Sequence, residues 1–66
     1  MNITLNGNNR EIAQRVTVRE FLEDLKLKPE TVAVEVNLAI VSKNEYDTRR
    51  LDEGDKIEII SFVGGG

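Results

Sequence analysis

Alternating polar and apolar positions open the chain. In Asn-Ile-Thr-Leu, residues 2–5, Ile3 and Leu5 share one side of an extended segment, the period-two pattern of a half-buried strand. Asn6-Gly7 comes next, and both residue types tolerate the positive φ that a two-residue hairpin turn demands. The return strand is expected from Arg10 to Val16, with Ile12 and Val16 inward and Gln14 interrupting the pattern. At Thr17 the period changes. Val18, Phe21, Leu22 and Leu25 recur at helical spacing and form one apolar stripe. Thr17 and Glu20 make a capping box, and Val16 and Phe21 are placed to staple the helix entry. The helix is expected to run about ten residues, near the average for globular proteins. Pro29 is expected to stop it, and Asp24 and Lys28 are spaced for a weak pair near its end.

Beyond Pro29 the period returns to two. Val32, Val34 and Val36 lie on one side of the run 31–36, whose β-branched content favours a strand. Asn37 and Leu38 read as a bend and residues 39–43 as a short edge strand. Residues 44–51 show no clean period, so Tyr46 and Leu51 are expected to tether a loop or single helical turn to the core. Asp-Glu-Gly-Asp, residues 52–55, reads as a tight turn around Gly54. The segment from Lys56 to Val63 is the most strand-prone in the chain. One helix covers only one face of a four- or five-stranded sheet, which gives an α+β domain with a half-covered mixed sheet. The last strand is expected at its centre, with residues 1–63 forming the domain and 64–66 a tail.

Composition then removes most chemistry. The 66 residues contain no cysteine and no histidine, so thiol nucleophiles, thiolate zinc sites and the usual neutral-pH base are absent. No apolar run approaches the ~20 residues that cross a bilayer, and no basic segment leads into an apolar one, so a cytoplasmic protein is expected. A formal net charge of −3 disfavours nucleic acid, which selects a basic stripe. The sequon at Asn2 carries no weight without a secretion signal. Residues 52–55 lack the alternating ligands and closing glutamate of a calcium loop. The terminal glycines are no phosphate cradle, because no helix, lysine or hydroxyl follows them. No side chain stands out as a nucleophile, and the chain is not expected to be an enzyme or to bind a cofactor or metal.

What remains is the last strand and Gly64, Gly65 and Gly66. Ile57, Ile59 and Val63 fall on one side of that strand; Lys56, Glu58, Ile60 and Phe62 fall on the other. The second side turns from charged to apolar as it nears the glycines, on the face the helix leaves open. Such a cluster beside a chain end is a candidate partner surface. Three glycines extend about 10 Å at 3.3–3.6 Å per residue. Lacking Cβ atoms, they fit a narrow channel. What they deliver is the carboxylate of Gly66, which becomes an acyl electrophile once an ATP-using partner adenylates it.

The run from "NITLNG" through "TVREFLEDL", "VAVEVN", "LDEGDKIEII" and "FVGGG" resembles the ThiS family, the ubiquitin-like sulfur carriers of thiamine biosynthesis. The resemblance covers essentially the whole chain and implies a β-grasp fold. It further implies that Gly66 is adenylated by an E1-like enzyme of the ThiF type, which uses ATP. Gly66 then takes sulfur from a sulfur-donating enzyme as a thiocarboxylate and passes it to thiazole synthase of the ThiG type. By the same resemblance Gly64 and Gly65 form the slender tail, and Ile60, Phe62 and Val63 the docking base. Three glycines stand where many relatives have two. The alternatives are the sibling carrier of molybdopterin synthesis, a protein-conjugating modifier, and a plain interaction module.

Overall fold

The computed structural model describes residues 1–62. In chain order its strands are β1 (Asn2–Leu5), β2 (Asn8–Glu11), β3 (Val32–Val36), β4 (Ala39–Ile40) and β5 (Lys56–Ser61), and its helix is α1 (Val18–Asp24). Short 3-10 turns occupy Pro29–Thr31 and Lys43–Glu45. The sheet order is β2-β1-β5-β3-β4. β5 runs parallel to β1 and antiparallel to β3, so the last strand is central and the sheet mixed, as expected. This is the β-grasp arrangement.

The core lies between α1 and one face of this sheet. Ile3, Val32, Val34, Val36 and Ile57 enter it from the strands, and Val18, Phe21 and Leu22 from the helix. Val41, Tyr46 and Leu51 close its side. The irregular crossing is therefore pinned where its pattern placed Tyr46 and Leu51, both fully buried.

Asn6 and Gly7 both have positive φ, so the first hairpin has the expected turn. The return strand, however, is Asn8–Glu11 rather than 10–16. A two-residue turn sets Asn8 against Leu5, and the ladder then reaches Asn2 against Glu11. There the β1 strand ends. Met1 makes the last rung, its carbonyl accepting from Ile12 N at 2.8 Å and its ammonium donating to Ile12 O at 2.7 Å. Ile12 stays buried, while Val16 is half-buried against the core beside the helix cap.

The capping box is complete. Thr17 Oγ1 accepts from Glu20 N at 3.1 Å and the Glu20 carboxylate accepts from Thr17 N at 2.9 Å, a cap worth about 1 kcal/mol. The helix is only seven residues long, and Pro29 is not what ends it. Lys26 takes φ 63°; its N–H donates to Glu23 O and Leu27 N donates to Leu22 O, at 3.0 and 2.9 Å. These two bonds are the Schellman closure, and half-buried Leu27 packs against the core beside it. Lys28 consequently lies beyond the helix, which breaks the spacing its pairing with Asp24 required. Pro29 instead opens the following 3-10 turn, where its missing N–H costs nothing. That turn takes Thr31 out of the strand expected from 31.

Candidate functional site

Two asparagines hold the start and middle of β5. Asn37, at φ 54°, donates its N–H to Lys56 O at 2.8 Å and accepts from Lys56 N through Oδ1 at 2.9 Å. Asn6, at φ 48°, donates its N–H to Ile57 O at 2.9 Å. Its Oδ1 then accepts from Ile59 N at 2.8 Å. Paired rungs between β1 and β5 end at Leu5 and Ile57, so the Asn6 side chain takes over as a substitute strand. On the other side, β3 pairs with β5 from Ile57 to Ser61, and Phe62 N donates to Thr31 O at 2.9 Å. The strand is tied at every stage up to Phe62.

Asp55 anchors the turn that leads into it. This buried carboxylate accepts from Asp52 N at 2.7 Å and from Asn37 Nδ2 at 2.9 Å. Asp52 turns away to Arg15, and Glu53 accepts from Asn2 N. The acidic run therefore serves the turn and its neighbours in three directions. Among the described residues no three acidic, histidine or cysteine side chains converge as a metal site, and no helix is long and apolar enough to cross a membrane.

The two sides of β5 separate as the pattern predicts. Ile57 is buried and Ile59 half-buried, while Ile60 and Phe62 are 53% and 62% exposed. Cross-strand register places Ala33 beside Ile60, and Glu35 beside both Glu58 and Ile40. The open face therefore carries Ile40, Ala33 and Ile60 together, with two glutamates directly opposite each other on its inner strands. Like charges so placed destabilise a sheet slightly. Sequence reading missed Ile40, which is 75% exposed. Its signal was parity, since Ile40 and buried Val41 must point to opposite faces of the edge strand. Leu38 was missed as well. It sits at the tip of the β3–β4 turn, 90% exposed and at φ 72°, a conformation that glycine adopts without penalty.

Beside Phe62 lies a depression of about 200 Å³, lined by residues that include Ala33, Ile40, Lys43, Tyr46 and Phe62. Burial pushes the Tyr46 phenol above its ordinary pKa of 10.0, against the lowering effect of a backbone hydrogen bond at Val34. It is neutral at physiological pH. Val63, Gly64, Gly65 and Gly66, the remaining site residues expected from sequence, lie outside the described residues. So does the expected domain boundary at residue 63.

The ThiS family model matches residues 3–66. The chain is 41% identical over 66 residues to a thiazole synthase of Paramagnetospirillum magneticum and 42% identical to one of Magnetococcus marinus. Each alignment covers all of this chain and 20% of the relative, so the chain spans about a fifth of their length. Over 50 residues it is 40% identical to the sulfur carrier protein ThiS of Bacillus subtilis, covering 76% of each. The crystal structure of a thiamine biosynthesis protein (ThiS) from Geobacter metallireducens superposes with a TM-score of 0.86 at 35% identity, covering both chains completely. The fold is thus the ubiquitin-like β-grasp of that structure.

Proposed function

Because the chain belongs to the ThiS family, we propose that it is a sulfur carrier for thiamine biosynthesis whose working group is the main-chain carboxylate of Gly66. A carboxylate oxygen attacks the α-phosphorus of ATP within an E1-like, ThiF-type partner, and pyrophosphate leaves. A sulfur nucleophile from a donor enzyme then displaces AMP from the acyl-adenylate. With a donor persulfide as that nucleophile the product is an acyl disulfide. A thiol of the donor system then attacks the donor's own sulfur, the S–S bond breaks and the thiocarboxylate leaves. The two thiols remain as a disulfide. The thiocarboxylate sulfur is softer and more nucleophilic than oxygen, and stays attached to protein instead of escaping as sulfide. Thiazole synthase of the ThiG type takes it up.

The chain's own part in this scheme is to bind and to aim. Ile60 and Phe62 form an apolar base on the sheet face that α1 leaves open; Val63 follows them in the chain as a further docking residue, and Gly64 and Gly65 lead to the acid. Partner enzymes supply the catalytic groups, so no cofactor is assigned to this chain and it acts as a cosubstrate in the cytoplasm. The observation that carries the proposal is a family match that extends through residue 66 behind an exposed apolar row. Similarity to two much longer thiazole synthases supports the synthase as recipient.

Complementation tests the assignment. In a bacterial host lacking its own thiamine sulfur carrier, the chain is expected to restore growth without thiamine. It is not expected to restore molybdenum-cofactor enzymes in a host lacking the molybdopterin carrier. The reverse pattern would move the chain to the sibling branch, and failure in both hosts would reject the carrier role.

A further inference from the structure

We infer that Lys43 is a positioning residue: its ammonium holds the Phe62 ring, and so fixes the point from which the reactive tail leaves the domain. Surface lysines ordinarily keep a hydrated head on a flexible stem. Lys43 does not. Its Nζ donates to Pro29 O and to Val32 O, both at 2.9 Å. It also stands 5.6 Å from the centre of the Tyr46 ring and 5.7 Å from that of Phe62, inside the roughly 6 Å reach of a cation–π contact.

These four partners are not equivalent. The carbonyls belong to the 3-10 turn and the first residue of β3, and Tyr46 is buried in the core. They form a fixed socket. Phe62 is 62% exposed and lies just past the end of β5, where its backbone N–H bonds to Thr31 O. The ammonium therefore links an exposed ring to three rigid groups, and a neutral side chain could not attract both π faces. Residue 63 begins where Phe62 ends. The position of Phe62 therefore sets where the segment that carries the acid begins, and four residues span at most about 13 Å.

This inference rests on the carrier reading above and makes a kinetic claim of its own. If the tail leaves correctly in only a fraction of molecules, the concentration needed for half-maximal transfer rises by the inverse of that fraction. The maximum rate does not change.

The test uses the full-length chain with Lys43→Met, which keeps the stem and removes the charge, and Lys43→Arg, which keeps a charge able to lie on aromatic faces. NMR of the free proteins follows the Phe62 ring and amide. Initial rates of thiazole formation are measured against carrier concentration, in extract from a host lacking its own carrier. Lys43→Met is expected to move the Phe62 signals toward random-coil positions while core signals such as Leu22 stay fixed. It is also expected to raise the half-maximal concentration about two- to threefold, with the maximum rate preserved and Lys43→Arg recovering most of the loss. In a Phe62→Leu background, Lys43→Met should add nothing, because the lysine acts through the ring.

Unmoved Phe62 signals, an unchanged half-maximal concentration, or additive effects of the two substitutions would overturn the assignment. So would a Lys43→Met chain that fails to fold, since the lysine would then be structural. If the unsubstituted chain supports no thiazole formation, the carrier reading fails, and the NMR comparison alone still decides whether Lys43 holds Phe62.

Discussion

Deleting Gly65 and Gly66 is expected to abolish sulfur carriage and leave the melting temperature unchanged. The buried core runs from Ile3 to Ile57, and the ladder that completes the sheet ends with Ser61. Neither glycine has a side chain to pack. The shortened chain still ends in a carboxylate, but one withdrawn by about 7 Å at 3.3–3.6 Å per residue. A carrier whose acid must reach into another protein's channel cannot absorb that retreat, so thiazole formation should fall to background. Thermal melting and a thiazole assay on the same preparation check both halves. Unfolding would show that the tail belongs to the domain, and wild-type activity would show that carriage does not depend on an acid placed at Gly66.

The two phenylalanines should part company just as clearly. Phe21 is buried under the sheet and Phe62 is exposed beside the tail. Truncating a buried phenylalanine costs about 3–5 kcal/mol. A domain of 66 residues has only about 3–10 kcal/mol in total. At roughly 4–8 °C per kcal/mol for small domains, Phe21→Ala should lower the melting temperature by 15 °C or more, or unfold the chain. Phe62→Ala, away from the core, should cost less than about 1 kcal/mol of stability. Its loss should appear in binding instead. An aromatic anchor at the centre of an interface is worth about 2 kcal/mol, roughly thirtyfold in affinity. Thermal melts and titration against thiazole synthase separate the two effects. If Phe62→Ala melts like a core truncation, the two sides of β5 have been exchanged.

Where one periodicity dominated, the sequence could be read almost directly. The valines of β3, the stripe on α1 and the two sides of β5 all emerged as their spacing required, because burial on one face leaves a period in the chain. Ends were harder. β2 is fixed by its register against β1, which the hairpin turn sets and which is invisible in the run from Arg10 to Val16. The helix closes through a lysine at positive φ, a position usually marked by glycine, so Pro29 looked like the stop when it was the start of the next turn. At the site, Ile60 and Phe62 were legible from alternation alone. Ile40 joins them only through the β3–β4 register, and Lys43 meets Phe62 only because β3, the 3-10 turns and the end of β5 converge. Contacts between distant segments leave no local period to read.

In the carrier proposed above, the working group is the terminal main-chain acid and the catalytic groups come from partner enzymes. Intact-protein and fragment mass spectrometry after incubation with ATP, the activating enzyme and a sulfur donor tests this most directly. One sulfur-for-oxygen exchange is expected, confined to the fragment ending at Gly66. An unchanged mass, sulfur located elsewhere, or branched adducts on lysines of other proteins would contradict it.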